Sequence, residues 1–310
     1  MPGWLLCFAA TLIVYLLQLF PLTGIFLMMF GAVLWSVILI NLGFALIGVD
    51  VLRGRAPKAA LLFPVLWFGG YAIATTISHV RAAHFVDALD AANRGKTFAW
   101  NAVDQDLLVR AARRNGVYFD DVDAEELMTK YGLSSIYAAD GQGLYRSSLF
   151  PKACPDGGFG NRDEFGVTYT NAVDEEIVAH GITMFHHATY LCKVRRPAAP
   201  GPSPVIVTTV PYTRVRNGLV DTDEQTIKIR SGDRNPVVVK FGRAAALAWL
   251  PQPIAGCGLN SGDPSWQCFV GFQRDADATR ATPTATELTA KALGLRRISL
   301  RQRFPDAGWQ

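Results

Sequence analysis

The chain has 310 residues, 50% hydrophobic and 18% charged, with a formal net charge of +4. That charge is too small and too balanced for a nucleic-acid binder, and the length suffices to bury a sizeable core. The averages conceal two materials. No charged side chain occurs from Met1 to Val49, whereas from Val80 onward the composition is that of an ordinary soluble domain.

The apolar material falls into three runs. Trp4–Phe20 reaches about 25 Å as a helix, at the short end for a bilayer span. Pro21-Leu22-Thr23-Gly24 interrupts it, and a residue without an amide donor beside one without a side chain favours a tight turn. Ile25–Val49 is long enough to span with tilt. Ala59–Ser78 is the third run, with Pro64 near its start, where a helix tolerates proline or kinks mildly. The first run lacks a basic residue ahead of it and a small-x-small site behind it, so it reads as a span rather than a cleaved signal peptide.

The loop Asp50–Lys58 carries Arg53, Arg55 and Lys58, and the turn before it carries no basic residue. The positive-inside rule places that loop and the N-terminus in the cytoplasm. Three spans then deliver the remainder to the opposite side. Arg81, Arg94 and Lys96, just beyond the third span, work against this bias. The spans hold no ionisable group of the kind that carries substrate through a transporter, only Gln18, Asn41 and hydroxyls, so they read as an anchor. Small residues along them (Gly31, Ala32, Ser36, Gly43, Gly48, Gly69, Gly70) suit close helix packing.

Five cysteines occur. Cys7 sits in the first run as a small apolar residue. The other four fit two disulfides in an oxidising compartment, and none of their spacings is that of a zinc or dithiol redox pair. Cys257 and Cys268 flank the loop GLNSGDPSWQ and are the natural local pair, leaving Cys154 with Cys192. This count and the charge bias point independently to an extracytoplasmic location.

In the soluble part the third run continues as a polar helix to Asn93. Helices are then expected at Val103–Arg114 and from Asp121–Glu125 to Gly132. Ser135–Ala139 and Leu144–Ser148 flank Asp140-Gly141-Gln142-Gly143, a hairpin signal. A short strand at Val167–Thr170 and a helix at Val173–His180 follow. Strands are expected at Thr189–Val194, Val205–Val210, Tyr212–Arg216, Leu219–Asp221, Thr226–Arg230, Val237–Phe241, Ala244–Trp249 and Cys268–Phe272, with Pro197–Pro204 as a surface loop. Thr286–Leu293 reads as a helix and Ile298–Phe304 as a final strand. The expected architecture is a membrane-anchored α+β protein. Residues 1–79 form an anchor of three transmembrane helices (about 4–20, 25–49 and 59–78). Residues 80–310 form a soluble extracytoplasmic domain with N-terminal helices and a mostly antiparallel sheet.

Chemistry has few places to sit. His180, His186 and His187 lie near Asp174, Glu175 and Glu176, but their spacing suits neither a helical nor an extended metal site. The glycine-rich loop Asp156–Glu164 offers backbone amides and the carboxylates of Asp163 and Glu164 without matching a phosphate, dinucleotide or calcium motif. His186, Asp163 and Glu164 are therefore the candidate catalytic groups, and neither a metal nor a cofactor is expected. Arg296, Arg297, Arg301 and Arg303 form a basic cluster suited to headgroups or an acidic partner. The reading is an integral protein of the inner or plasma membrane, more binder than enzyme, that presents its soluble part to a protein partner or envelope component. The alternative is a membrane-tethered envelope hydrolase.

Overall fold

A computed structural model describes residues 2–20, 23, 26–27, 32–101, 105–110, 122–140, 143–154, 159–162, 167–179, 182–259, 266–275 and 279–309. The architecture is mixed α+β, with N-terminal helices followed by a mostly antiparallel sheet. The chain divides into two compact units. Unit 1 comprises Met1–Ala88, Arg214–Asp223 and Arg243–Ala281; unit 2 comprises Leu89–Thr213, Glu224–Gly242 and Thr282–Gln310.

Helix α1 (Gly3–Gln18) and helix α2 (Ala32–Leu52) pack on each other in unit 1. Gly43 makes this approach possible, because a Cβ there would meet the Phe8 ring at 2.7 Å. After α2 the backbone reverses through Gly54, whose φ of 69° is a left-handed conformation that glycine adopts without steric cost. The helical path resumes at Lys58–Leu61, runs through Leu62–Pro64, widens over Val65–Gly70 and continues as α3 (Tyr71–Asn93). The widening follows Pro64, whose missing N–H interrupts the regular ladder. Among the described residues two helices are long and apolar enough to cross a membrane, Leu34–Leu52 and Lys58–Asn93; Gly3–Gln18 is shorter. Their large apolar side chains point outward: Leu16 is 61% exposed, Leu34 65% and Ile73 65%.

The main sheet has ten strands: β1 (Leu107–Arg110), β2 (Ser135–Asp140), β3 (Gly143–Phe150), β4 (Phe159–Arg162), β5 (Thr168–Ala179), β6 (Ile182–Pro197), β7 (Val205–Arg216), β8 (Asp221–Arg230), β9 (Val237–Ala245) and β12 (Arg280–Ala281). Their order is β12-β9-β8-β7-β1-β2-β3-β6-β5-β4. β1 runs parallel to both β2 and β7; the other pairs of this sheet with a described register are antiparallel. β10 (Pro253–Leu259) and β11 (Trp266–Phe272) form a separate antiparallel pair in unit 1. Unit 2 buries Leu107, Val109, Ile136, Leu191, Val205, Val207, Ile227 and Ile229 against helices α4 (Ala124–Lys130) and α5 (Ala285–Ala292). Asp123 caps α4 by accepting from the amides of Glu125 and Glu126, and Thr284 with Glu287 forms a capping box on α5.

Several expected elements differ; of the expected strands Ala244–Trp249 and Leu219–Asp221, only Ala244–Ala245 and Asp221 lie in strands, β9 and β8. Within the expected helix Val103–Arg114, the described Leu107–Arg110 is instead a strand with parallel neighbours on both sides, and Leu107, Leu108 and Val109 are all buried. A strand covered on both faces lacks the alternation that marks strands in sequence. The stretch expected as the helix Val173–His180 is extended as far as Ala179. Register shifts at Asn171/Ala172 and Val173/Glu176 interrupt the two-residue period, and the residual spacing imitates a helix. Ile298–Phe304 is not a strand; Leu300–Arg303 is a helical turn, α6, started by the Ser299–Gln302 capping box.

Candidate functional site

Two polar constellations stand out in unit 1. The first is a ladder on the apolar helices. Trp67, Tyr71, Thr75 and His79 recur every four residues, which places them on one face of a helix, with Ser78 beside them. The Tyr71 hydroxyl donates to the Ala248 carbonyl (2.9 Å), as does Thr75 (3.4 Å). His79 Nε2 donates to the Leu247 carbonyl (3.0 Å), and its ring stacks on Trp249 at 4.3 Å. Ser78 donates to the Leu219 carbonyl (2.7 Å) and accepts from the Leu247 amide (2.8 Å). On the other helices Tyr15 donates to the Pro253 carbonyl (2.7 Å). The Asn41 amide donates to the Val37 and Pro251 carbonyls (2.8 and 2.7 Å) and accepts from Trp67 Nε1 (3.0 Å). The polar side chains of these helices thus hold the irregular backbone around β10 and β11. Gln18 is different: it is fully buried, and neither of its amide atoms has a partner among the described residues.

The second constellation is ionic. Asp223, only 8% exposed at its side chain, accepts from Arg214 Nε (3.0 Å) and Arg243 Nε (2.8 Å), with Arg216 at 3.7 Å. Asp221 meets Arg274 (2.8 Å) and Arg216 (3.5 Å). Arg274 also donates to the carbonyls of Asn217 and Leu219, fixing the turn between β7 and β8. Burial pushes the Asp223 carboxyl up, but hydrogen bonds from Arg243 and Arg214, with the charges of Arg214 and Arg216, outweigh it and hold the group below its ordinary value. The sequence carried a signal for this cluster. Arg214 and Arg216, then Asp221 and Asp223, alternate on either side of Asn217-Gly218, so a hairpin brings like faces and opposite charges together.

Of the residues singled out from sequence, the four cysteines are paired and the others are placed only in part. Cys154 pairs with Cys192 (Cα–Cα 4.9 Å) and Cys257 with Cys268 (4.0 Å). Cys257 and Cys268 face each other across the β10–β11 ladder, so the bridge closes the hairpin. His186 and His187 lie on β6, with His187 opposite Val173. Asp163, Glu164 and His180 lie outside the described residues. Among the described residues no group of three or more His, Cys, Asp and Glu side chains is placed to hold a metal ion. The basic cluster is divided: Arg296, Arg297 and Arg301 are exposed, whereas Arg303 is half-buried and donates to the Leu133 carbonyl (3.0 Å). Compared with protein-family models, with curated proteins and with solved structures, the chain matches none.

Proposed function

We propose that the chain is an integral membrane protein with three bilayer spans and a cytoplasmic N-terminus, which presents its later residues to a protein partner or envelope component. The observation that carries the reading is the outward aim of large apolar side chains along all three N-terminal helices, the kind of exposed apolar surface that marks contact with a membrane or a partner. The two disulfides support an oxidising compartment for the segments that hold them. The basic loop at Arg53, Arg55 and Lys58 supports the orientation. The exposed Arg296, Arg297 and Arg301 are the contact patch of this reading, suited to an acidic surface.

A C-terminal reporter active only in the cytoplasm should be silent, and its activity would overturn the orientation. Cross-linking in native membranes should then trap a specific adduct, which Arg296→Glu, Arg297→Glu and Arg301→Glu together should weaken. An adduct unaffected by the triple change removes the patch from the proposal. Failure to trap any adduct removes the partner.

A further inference from the structure

We infer that Leu247–Leu259 and Trp266–Phe272 form a re-entrant hairpin that enters the bilayer, with the Trp249, Leu250 and Val270 side chains in contact with lipid hydrocarbon. This rests on the membrane reading above and extends it to residues far from the N-terminus. Depth is the first argument. From Lys58 to Ser78 the helical rise is about 30 Å, the thickness of a bilayer's hydrocarbon core. Trp67 lies near its middle, about 14 Å from Lys58, and Asn41 lies about 16 Å from Leu52. These two side chains bond each other, and Asn41 bonds the Pro251 carbonyl. Leu247 therefore enters at the level of Ser78, Ala248 descends to Tyr71 and Thr75, and Pro251 reaches mid-depth. The chain climbs back past Tyr15 at Pro253, and Phe272 returns to within 6.2 Å of the Trp67 ring and 5.2 Å of the Tyr71 ring.

Chemistry agrees with depth. Between Arg243 and Arg274 the sequence carries one charged side chain, Asp263, and it falls in the polar stretch joining β10 to β11. Non-helical backbone is tolerated in hydrocarbon only where protein satisfies its polar groups. Here the helices satisfy the carbonyls of Leu247, Ala248, Pro251 and Pro253. The Ala248 amide donates to the Gln273 carbonyl, and the Gln273 amide to the Gln252 carbonyl. Pro251 and Pro253 have no amide to satisfy. The large side chains that point outward among the described residues of the hairpin are apolar: Trp249 is 63% exposed, Leu250 50% and Val270 78%.

The test uses the full chain in phosphatidylcholine vesicles. A Cys7→Ser background carries one added cysteine, Leu250→Cys or Val270→Cys, labelled with an environment-sensitive fluorophore. Ile38→Cys is the control on α2, and Asp233→Cys is the control at an exposed turn. Quenching by acyl-chain nitroxide lipids at 250 and 270 should match that at 38, while aqueous iodide should quench only the probe at 233. Iodide quenching at 250 and 270 with lipid quenching at 38 would overturn the embedded hairpin and leave the anchor standing. Iodide quenching at 38 as well would remove both. Should the variants misfold, the unsubstituted protein can be photolabelled from the lipid phase with a hydrophobic diazirine. Labelled peptides should then include 244–273; label confined to the N-terminal helices would refute the inference.

Discussion

Asn41 is the most informative single residue to perturb. Replacing it by Leu keeps the branching at Cγ and adds apolar character to an apolar helix, so a simple anchor should gain stability. The structure predicts the reverse. Three hydrogen bonds meet at this amide, and the one to Val37 is dispensable because that carbonyl also belongs to the helix ladder. The other two leave the Pro251 carbonyl and the Trp67 indole N–H without their partner. Hydrogen bonds between helices in membranes average about 0.6 kcal/mol and reach about 1.7 kcal/mol. Orphaning a buried donor or acceptor costs about 1–3 kcal/mol. Two such groups give a loss of about 2–6 kcal/mol, lowered toward the smaller figure where Trp67 finds another acceptor. Thermal unfolding of the full chain in detergent, followed by near-ultraviolet circular dichroism, would read this as a fall in Tm. Leu42→Ala, at a half-exposed neighbour on the same helix, is the reference and should shift it far less. An Asn41→Leu variant as stable as the parent would refute the claim that the helices hold the hairpin.

Three more outcomes follow from the same geometry. Asp223 is held below its ordinary pKa of 3.8, so the unfolded state binds its proton more readily than the folded one. Its contribution is complete above about pH 4 and is lost as pH falls through the lower folded value; Asp223→Asn should lower neutral-pH stability by about 1–3 kcal/mol and flatten the acid limb of a stability–pH curve. An acid limb identical to the parent's would exclude Asp223 as its source. Replacing Cys257 and Cys268 together by Ser should cost about 2–3 kcal/mol, and reductant should shift Tm in the parent more than in the double variant; equal shifts would show the bridge contributes nothing. Gly43→Ala should destabilise the α1–α2 contact by about 1–3 kcal/mol through overpacking, since the Phe8 ring that must yield is itself packed edge-to-face on Phe44. An unchanged Tm would mean the rings can move aside.

What the sequence made legible was whatever depends on neighbours in the chain. The hairpin at Ser135–Ser148, the helix opening within Asp121–Glu125 and the polar extension of the third apolar run all rest on local spacing, and each is present. The pairing of Cys257 with Cys268 was legible for the same reason, because a short polar loop leaves few alternatives. Legibility failed where a distant partner decides. Leu107–Arg110 is a strand because Val205–Thr208 and Tyr137–Ala139 lie on either side of it, and neither is encoded in its own four residues. The Ser299–Gln302 capping box could have been read, and the apolar residues around it pulled the assignment toward a strand instead.

The polar residues of the apolar runs are the sharpest instance of that limit. Asn41 and the hydroxyls read from sequence as tolerated exceptions in an anchor, because no ionisable group accompanies them. Trp67, Tyr71, Thr75 and His79 nevertheless repeat at the spacing of one helix face, and that spacing is visible without coordinates. A stripe of hydrogen-bonding side chains on an otherwise apolar helix requires an acceptor, since leaving such groups unpaired in hydrocarbon is costly. Tyr71 and Thr75 donate to the Ala248 carbonyl and His79 to the Leu247 carbonyl, all more than 160 positions away in sequence, while Trp67 donates to Asn41, which passes the contact on to the Pro251 carbonyl. The stripe therefore implied a partner, and the nearly charge-free stretch between Arg243 and Arg274 was the segment with the composition to be one. Read together, the two patterns support the proposal of a membrane part assembled from segments far apart in the chain.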